Sequence, residues 1–331
     1  MKKIYFVEKS IPFNSNDINK SFVGGSEKTL INISNVLGKS KNLTIKVFNK
    51  TNINKKIDNV QWNNINNISP SDQPDVLICM SDANLLDLFR CKKNFLWSHS
   101  VQPIEKFIRK KQFFPFIKHK PIIILEGEYH YRNRSFFTSM FGKKILPIAV
   151  DDEFINFKVN EHFIPKKKAI FTTRSDRNLD FLLNSWSSIA VKSPNSSLYI
   201  NPPYDLTNEQ LKLGVKLRIK GDKLKLIDEL SSIRVMLNPG HAGEVFCLAA
   251  EEARELCIPI VTMGIGSLSE RVEHKITGYI AKNKDEFINY TIKILNDDNC
   301  YLNLKKNLMK RRNIRSYKDV ATDLLKIINN D

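Results

Sequence analysis

One pattern constrains the fold of this chain more than any other. Short apolar runs rich in Val, Ile and Leu recur along its length, and segments of helical period separate them. In the first half the strand-like runs are residues 3–7, 43–48, 75–80, 94–98, 121–125 and 144–148. In the second they are 169–173, 197–200, 216–220, 234–238, 258–262 and 277–281. Helical patterns fall at 26–37, 178–191, 223–230, 245–256 and 285–295. Strands that are apolar almost throughout, with helices between them, predict parallel sheets covered on both faces, an α/β protein.

The pattern resets over residues 151–168, DDEFINFKVNEHFIPKKK, which is polar, charged and without a sustained period. A domain boundary is predicted there, giving domains 1–150 and 151–331. The 331 residues are long for one domain and suit two of roughly 150–180 each. Two such halves would face each other across a central cleft at the carboxyl ends of their sheets, where ligands of doubly wound folds bind. The last helical segment, 316–328, reads either as part of the second domain or as a return to the first. The Asn-rich stretch 49–67 reads as a loop or weak edge region.

The net charge of +17 admits nucleic acid, an anionic membrane surface or phosphate-bearing substrates as partners. Basic clusters stand at Arg109-Lys110-Lys111, Lys166-Lys167-Lys168 and Lys310-Arg311-Arg312. Their spread over three distant segments predicts a diffuse basic face, which suits a membrane surface better than nucleic acid. No apolar run approaches the roughly 18 residues of a membrane span. The opening MKKIYFVEKS reads as a first strand, not a signal peptide. Five scattered cysteines without a CxxC predict reduced thiols and argue against structural zinc, so a cytoplasmic setting is expected.

The chemistry concentrates in residues 244–261, EVFCLAAEEARELCIPIV. Glu244 falls in a loop after a strand, and Glu252 inside the helix that follows. A helix N-terminus attracts phosphate, so a carboxylate beside one suits another part of the same ligand, such as the hydroxyls of a sugar nucleotide. Spacing alone equally allows a loop glutamate and an exposed helical one. Arg174 and Arg177 lie in a strand-to-helix turn, placed to clamp a diphosphate or to pair with Asp176 and Asp180. Gly24-Gly25-Ser26-Glu27 opens a helix, either as a close backbone approach to a ligand or as a turn with Ser26 as cap. Gly243 brings a flexible approach to the 244–248 segment, and His241 beside it has no obvious partner. His99 follows a strand at its carboxyl end, where a ligand-facing residue or a capping histidine belongs. Glu270 reads as a site residue or as the partner of an arginine. His119, His130 and His162 show no metal spacing.

Together these residues resemble family 4 of the retaining glycosyltransferases (glycosyl transferases group 1), which have the two-domain GT-B architecture. The family's E-x7-E signature and the Pro-containing strand after it look like Glu244, Glu252, Ala253, Pro259 and Val261. Its arginine–lysine pair looks like Arg174 and Arg177, its "GGaE" helix start like residues 24–27, and its closing glycine loop and "tG" strand like 266–272 and Thr277-Gly278. Two glycines of the family pattern are cysteines here: Cys247, expected to narrow the place where backbone meets ligand, and Cys257, expected to be a packing change. The resemblance implies two Rossmann-like domains facing a cleft, an N-terminal acceptor domain and a C-terminal nucleotide-sugar donor domain. It implies a hexosyltransferase with a nucleoside diphosphate sugar as co-substrate and no metal or other cofactor. Glu244 would hold donor-sugar hydroxyls and Glu252 the ribose; Arg174, Arg177 and the helix mouth at Val245, Phe246, Cys247 and Leu248 would stabilise the departing diphosphate. His99 would face the donor sugar. A glycan or lipid-linked acceptor and cell-surface polysaccharide or lipopolysaccharide synthesis are the implied setting, peripheral on the inner face of a membrane. A nucleotide-sugar epimerase or phosphorylase of the same architecture, and a non-catalytic basic binding protein, are the alternatives.

Overall fold

The computed structural model describes residues 1–20, 23–69, 71–219 and 221–330. They form two compact units: Met1–Ala149 with the chain from Ser316 onward, and Val150–Arg315. In the first unit, β1 (Lys2–Val7), α1 (Gly25–Gly38), β2 (Leu43–Asn49), β3 (Lys55–Ile57), β4 (Val60–Asn64) and β5 (Val76–Met80) are followed by β6 (Lys93–Trp97), α2 (Ile104–Arg109), α3 (Phe113–His119), β7 (Ile122–Leu125), α4 (Glu128–Asn133) and β8 (Lys143–Ile145). Among the described residues these strands make one sheet in the order β3-β4-β2-β1-β5-β6-β7-β8. Every pairing is parallel except β3 with β4. All five residues of β5 are buried, as a central parallel strand covered on both faces requires.

Of the two readings of the Asn-rich stretch, a loop or a weak edge region, the structure gives the edge of the sheet. Residues 55–57 and 60–64 form a hairpin whose second strand extends the sheet, Val47 of β2 pairing with Trp62 of β4. Trp62 is wholly buried; its Nε1 donates to Ser15 Oγ at 3.0 Å and its ring meets Phe13 edge-on. Two apolar side chains, Val60 and Trp62, suffice to seat β4, and Gln61, Asn63 and Asn64 on the other positions mask the period.

The second unit runs α5 (Asp152–Ile155), β9 (Lys168–Phe171), α6 (Leu179–Lys192), β10 (Ser197–Ile200), α7 (Asn208–Lys212), β11 (Val215–Leu217), α8 (Lys223–Ser231) and β12 (Val235–Leu237). It continues with α9 (Leu248–Glu255), β13 (Ile260–Thr262), α10 (Leu268–Arg271), β14 (Gly278–Ile280), α11 (Lys284–Asn296) and α12 (Asp298–Met309). Its sheet is parallel throughout in the order β11-β10-β9-β12-β13-β14. The strand predicted to reach Lys220 ends at Leu217, and Lys220 itself lies outside the described residues. Side chains alternate across the sheet: Phe171, Leu198 and Leu237 join Trp186 and Phe287 on one face, while Ile170, Met236 and Ile260 join Ala253 and Leu256 on the other.

The segment predicted as the domain boundary is not free chain. Phe154 of α5 is buried in the second unit's core, and Asp151 pairs with Lys223 at 3.0 Å. The final helix, α13 (Tyr317–Asn329), opens with a capping box between Ser316 and Asp319 and packs on α1 of the first unit. Lys2 Nζ donates to Asn329 Oδ1 at 2.8 Å. Among the described residues no helix is long and apolar enough to cross a membrane.

Both sheets reverse strand order once, between β1 and β5 and between β9 and β12. At such a switch point neighbouring loops diverge and leave room at the carboxyl ends of the strands. Because Trp62 is the larger of the two buried anchors of the hairpin edge, Trp62→Ala is expected to destabilise the protein by about 3–5 kcal/mol, read as a lowered midpoint in denaturant melts followed by circular dichroism.

Candidate active site

At the second unit's switch point the loop after β9 (172–178) meets the loop after β12 (238–247). Asn178 Nδ2 donates to the Gly240 carbonyl, and Arg177 Nη1 lies 2.5 Å from His241 Nδ1. The Gly243 amide donates to the same Nδ1 at 3.0 Å. Two N–H groups aimed at Nδ1 require the tautomer with its proton on Nε2. His241, read from sequence as a partnerless loop histidine, is therefore the pin between the arginine and the glutamate loop.

The loop after β13 closes on the same place. Glu244 N donates to His241 O at 2.9 Å, and Ser267 N donates to Glu244 O at 3.0 Å. Gly266, at φ +75°, makes this approach possible: a Cβ there would stand 2.3 Å from His241 O and 3.0 Å from Glu244 O. Gly240, at φ +96°, is held as tightly, its Cβ position 2.4 Å from Ile265 O. Both loops thus depend on glycine for sterics as well as for backbone conformation.

Glu244 sits in a carboxylate environment of mixed sign. Burial pushes its carboxyl above the ordinary value of 4.5, against the pull of a hydrogen bond from the Cys247 thiol and the charge of Arg177. Its Oε2 is shielded from solvent and has no hydrogen-bond partner in the protein. Ser267 Oγ and, after β9, Thr172 Oγ1 and Thr173 Oγ1 are orphaned in the same way. Buried polar groups are normally paired, so unpartnered ones gathered at one switch point fit a polar ligand with hydroxyls to donate and accept.

Helix α9 starts later than the sequence pattern predicts. Val245 and Phe246 are buried loop residues, Cys247 is the N-cap, and Leu248 is the first helical residue. Cys247 has φ 62° and Cys257 φ 58°, both in the left-handed region. That explains why the resembling family places glycine at these two positions, and it corrects the expectation that Cys257 is only a packing change. The Cys247 thiol is raised well above its ordinary value, first by burial and then by the Glu244 charge, so it remains a neutral donor.

Of the glutamates on α9, Glu251 and Glu255 are the buried ones, while Glu252 is half-buried in the middle of the helix. Arg271 Nη1 lies 2.9 Å from Glu251, its Nε donates to the Phe246 carbonyl at 2.8 Å, and its guanidinium covers the Phe246 ring at 4.1 Å. Arg271 is thereby the clamp that holds the helix mouth, a role spacing did not disclose. Glu255 accepts from Arg312 Nε at 3.2 Å and from the Asn313 amide at 2.7 Å. One of the three basic clusters is in this way partly structural.

The two arginines of the β9 loop share Asp176, Arg177 Nε lying 3.8 Å from its Oδ1, but differ in exposure and in their other partners. Arg177 has 19% of its side chain exposed and packs beside Gly243 and His241; Arg174 is 72% exposed and bound through Nε and Nη2 to Asp176, at 3.1 and 2.6 Å. Only Arg177 joins Glu244, Gly243 and the α9 mouth.

In the first unit, α1 begins at Gly25 with Gly24 as N-cap, so Ser26 is not the cap; its hydroxyl donates to Glu27 at 3.0 Å. Glu27 also accepts from Ser10 Oγ at 2.8 Å. His99 stands at the carboxyl end of β6, its backbone N–H donating to Ser81 Oγ at 3.0 Å and its ring stacked on Trp97. Its Nδ1 is hydrogen-bonded to the buried Glu126 carboxylate, and its Nε2 has no protein partner. Glu126 is not among the residues the sequence pattern singles out, although it follows β7 as His99 follows β6, which is the signal for it. Behind it His130 accepts from the Glu126 amide at 3.2 Å, and burial lowers its pKa to about 4.

The fold is that of the GT-B proteins, two parallel-sheet α/β domains. The model of the glycosyl transferases group 1 family matches residues 201–311, the stretch that contains Glu244, Glu252 and Arg271. With that match on that fold, the chain is a glycosyltransferase. Solved structures agree on the fold. Sucrose-phosphate synthase from Thermosynechococcus elongatus superposes with a TM-score of 0.72 at 12% identity, covering 100% of this chain and 99% of that one. Anabaena HepE in complex with UDP-glucose gives 0.72 at 11% identity, covering 100% of both. WaaG, a glycosyltransferase involved in lipopolysaccharide biosynthesis, gives 0.70 at 11%, covering 99% of this chain and 100% of that one. Comparison with curated proteins finds no match.

Two outcomes follow from the geometry of the α9 mouth. Because burial raises the Glu244 carboxyl, the folded state keeps its proton to higher pH than the unfolded chain does. That contribution is complete below the unfolded value and is lost as pH rises through the folded one. Glu244→Gln should therefore match the parent in stability under acid conditions and exceed it at neutral pH, in melts across a pH series. At Cys247, glycine relieves the left-handed backbone and alanine does not, so Cys247→Gly should be more stable than Cys247→Ala by about 1 kcal/mol in the same assay.

Proposed function

We propose that the protein is a retaining glycosyltransferase of family 4 type, moving a hexose from a nucleoside diphosphate to a glycan or lipid-linked acceptor in cell-surface polysaccharide or lipopolysaccharide synthesis. The observation that carries the reading is Glu244: a desolvated carboxylate with an unpartnered oxygen, beside the Arg177–His241 pair and the mouth of α9. An anionic site charge next to a guanidinium suits a ligand with hydroxyls at one end and a diphosphate at the other.

In this reading the second unit is the donor domain and the first the acceptor domain. Glu244 accepts hydrogen bonds from the donor sugar, and Glu252 from the ribose. Arg177 and the free N–H groups at the start of α9 meet the negative charge that grows on the diphosphate as the anomeric C–O bond breaks. The acceptor oxygen bonds to the anomeric carbon on the same face, and its proton passes to the leaving phosphate. On the resemblance, His99 is the residue taken to face the donor sugar, and Glu126 fixes its ring. Arg174, now bound to Asp176, would have to leave that partner to reach phosphate. The guanidinium takes the part a metal plays elsewhere, so chelation should leave turnover intact. A cytoplasmic enzyme resting on the inner face of a membrane fits this role, with no nucleic-acid partner. HepE, crystallised with UDP-glucose, makes uridine diphosphate sugars the first donors to test.

The test is release of nucleoside diphosphate from a panel of nucleotide sugars, with and without glycan or lipid-linked acceptors and with EDTA. Arg177→Ala and Glu244→Ala should each lower kcat by about 10²–10³-fold, while Glu252→Ala should act mainly on the donor KM. No release and no donor binding across the panel overturns the reading. Turnover that requires inorganic phosphate marks a phosphorylase, and product isomers without transfer mark an epimerase.

A further inference from the structure

Helices α2 and α3 and the turn at 136–140 share one face of the first unit. Ring contacts join them: Phe107 to Phe137 at 5.0 Å, Phe107 to Phe116 at 5.4 Å and Phe113 to Phe137 at 6.3 Å. Around this aromatic floor, large apolar side chains face solvent. Phe114 is 79% exposed and Phe136 85%, and Ile104, Ile108, Phe113 and Met140 are exposed with them. Monomeric proteins rarely gather so many exposed apolar side chains without a partner.

The charge around the patch indicates what that partner is. Arg109, Lys110 and Lys111 stand exposed at the α2–α3 junction, directly between Ile108 and Phe113. Residues 104–144 hold ten Lys or Arg against three Glu, one of which, Glu126, is buried. Arg134 and Lys143 flank the Tyr131 ring at 4.2 and 4.6 Å. Exposed aromatic and aliphatic tips within a basic rim are what an anionic bilayer surface accepts: apolar groups enter the headgroup boundary and cations meet lipid phosphates. Nucleic acid has no use for Ile104, Ile108 and Met140, which offer no ring for a base to stack on. A second copy docking through the same face would press like charges together.

We infer that the face formed by α2, α3 and residues 136–140 is a docking surface for an anionic lipid bilayer. The inference rests on the lipid-linked acceptor reading for its purpose and on these side chains for its evidence. It also singles out one of the three basic clusters, for Arg312 is engaged with Glu255 and the carbonyl of Phe157, and Lys167 with Asn296.

The full-length protein is sedimented with vesicles of phosphatidylcholine alone and of phosphatidylcholine mixed with phosphatidylglycerol, at low and high salt. Binding should require the anionic lipid and weaken with salt. A variant with Arg109, Lys110 and Lys111 changed to Glu should lose about a hundredfold in partitioning, and Phe114→Ser with Phe136→Ser about tenfold. Lys166→Glu with Lys167→Glu should bind as the parent does. All variants should melt normally and release nucleoside diphosphate from a soluble donor at the parental rate. Equal binding to both vesicles, or undiminished binding by the two patch variants, overturns the inference. So does a dimer in light scattering that the phenylalanine variant abolishes while vesicles go unbound. Loss of vesicle binding with turnover intact leaves the transferase reading standing, and absent turnover with specific vesicle binding sinks that reading alone.

Discussion

The backbone of Gly266 lies against the carbonyl oxygens of His241 and Glu244, and the geometry of the candidate site depends on that approach. It brings the loop after β13 onto the loop after β12, where Ser267 N–H fixes the Glu244 carbonyl. The Asn178–Gly240 and Arg177–His241 contacts then add the loop after β9. Three loops from three adjacent strands are thereby locked at one switch point, and one carboxylate, one guanidinium and one helix mouth share a small volume.

The electrostatics of that volume run against stability. Burial disfavours the Glu244 charge more strongly than Cys247 and Arg177 favour it. The mouth of α9 adds backbone strain at Cys247 in place of a relaxed glycine. Strain and desolvation that a fold retains at one place, and offsets elsewhere through buried clamps such as Arg271 on Glu251, are characteristic of a binding site rather than of a packing core. In the first unit the His99–Glu126 pair is built on the same terms, a histidine orientation held by a buried carboxylate.

Much of this was legible beforehand. Central parallel strands bury both faces, so their apolar runs stand out, and the two sheets could be outlined from them. The positions of Glu244 after a strand and of His99 at a strand end were equally plain. Other features were hidden for identifiable reasons. β3 is the edge strand and buries no side chain, and β4 beside it buries only two, so their polar residues concealed them. Phe154 anchors a segment whose other residues are charged. His241 and Arg271 act through partners far away in sequence, 64 positions for Arg177 and 20 for Glu251, and no local pattern records such pairs.

By itself, then, the sequence determined the α/β class, the two-part organisation and the residue types offered to the candidate site, because these follow from short-range periodicity and local motif. Only the tertiary structure decided which of them act together. It set Arg177 against His241 and Gly243 on the Glu244 loop and bound Arg174 to Asp176, buried Glu251 and Glu255 on either side of Glu252, set Glu126 behind His99, and returned α13 to the first unit. The physical reason is that pairing, burial and left-handed backbone arise where distant segments meet, and spacing along a chain does not encode that meeting.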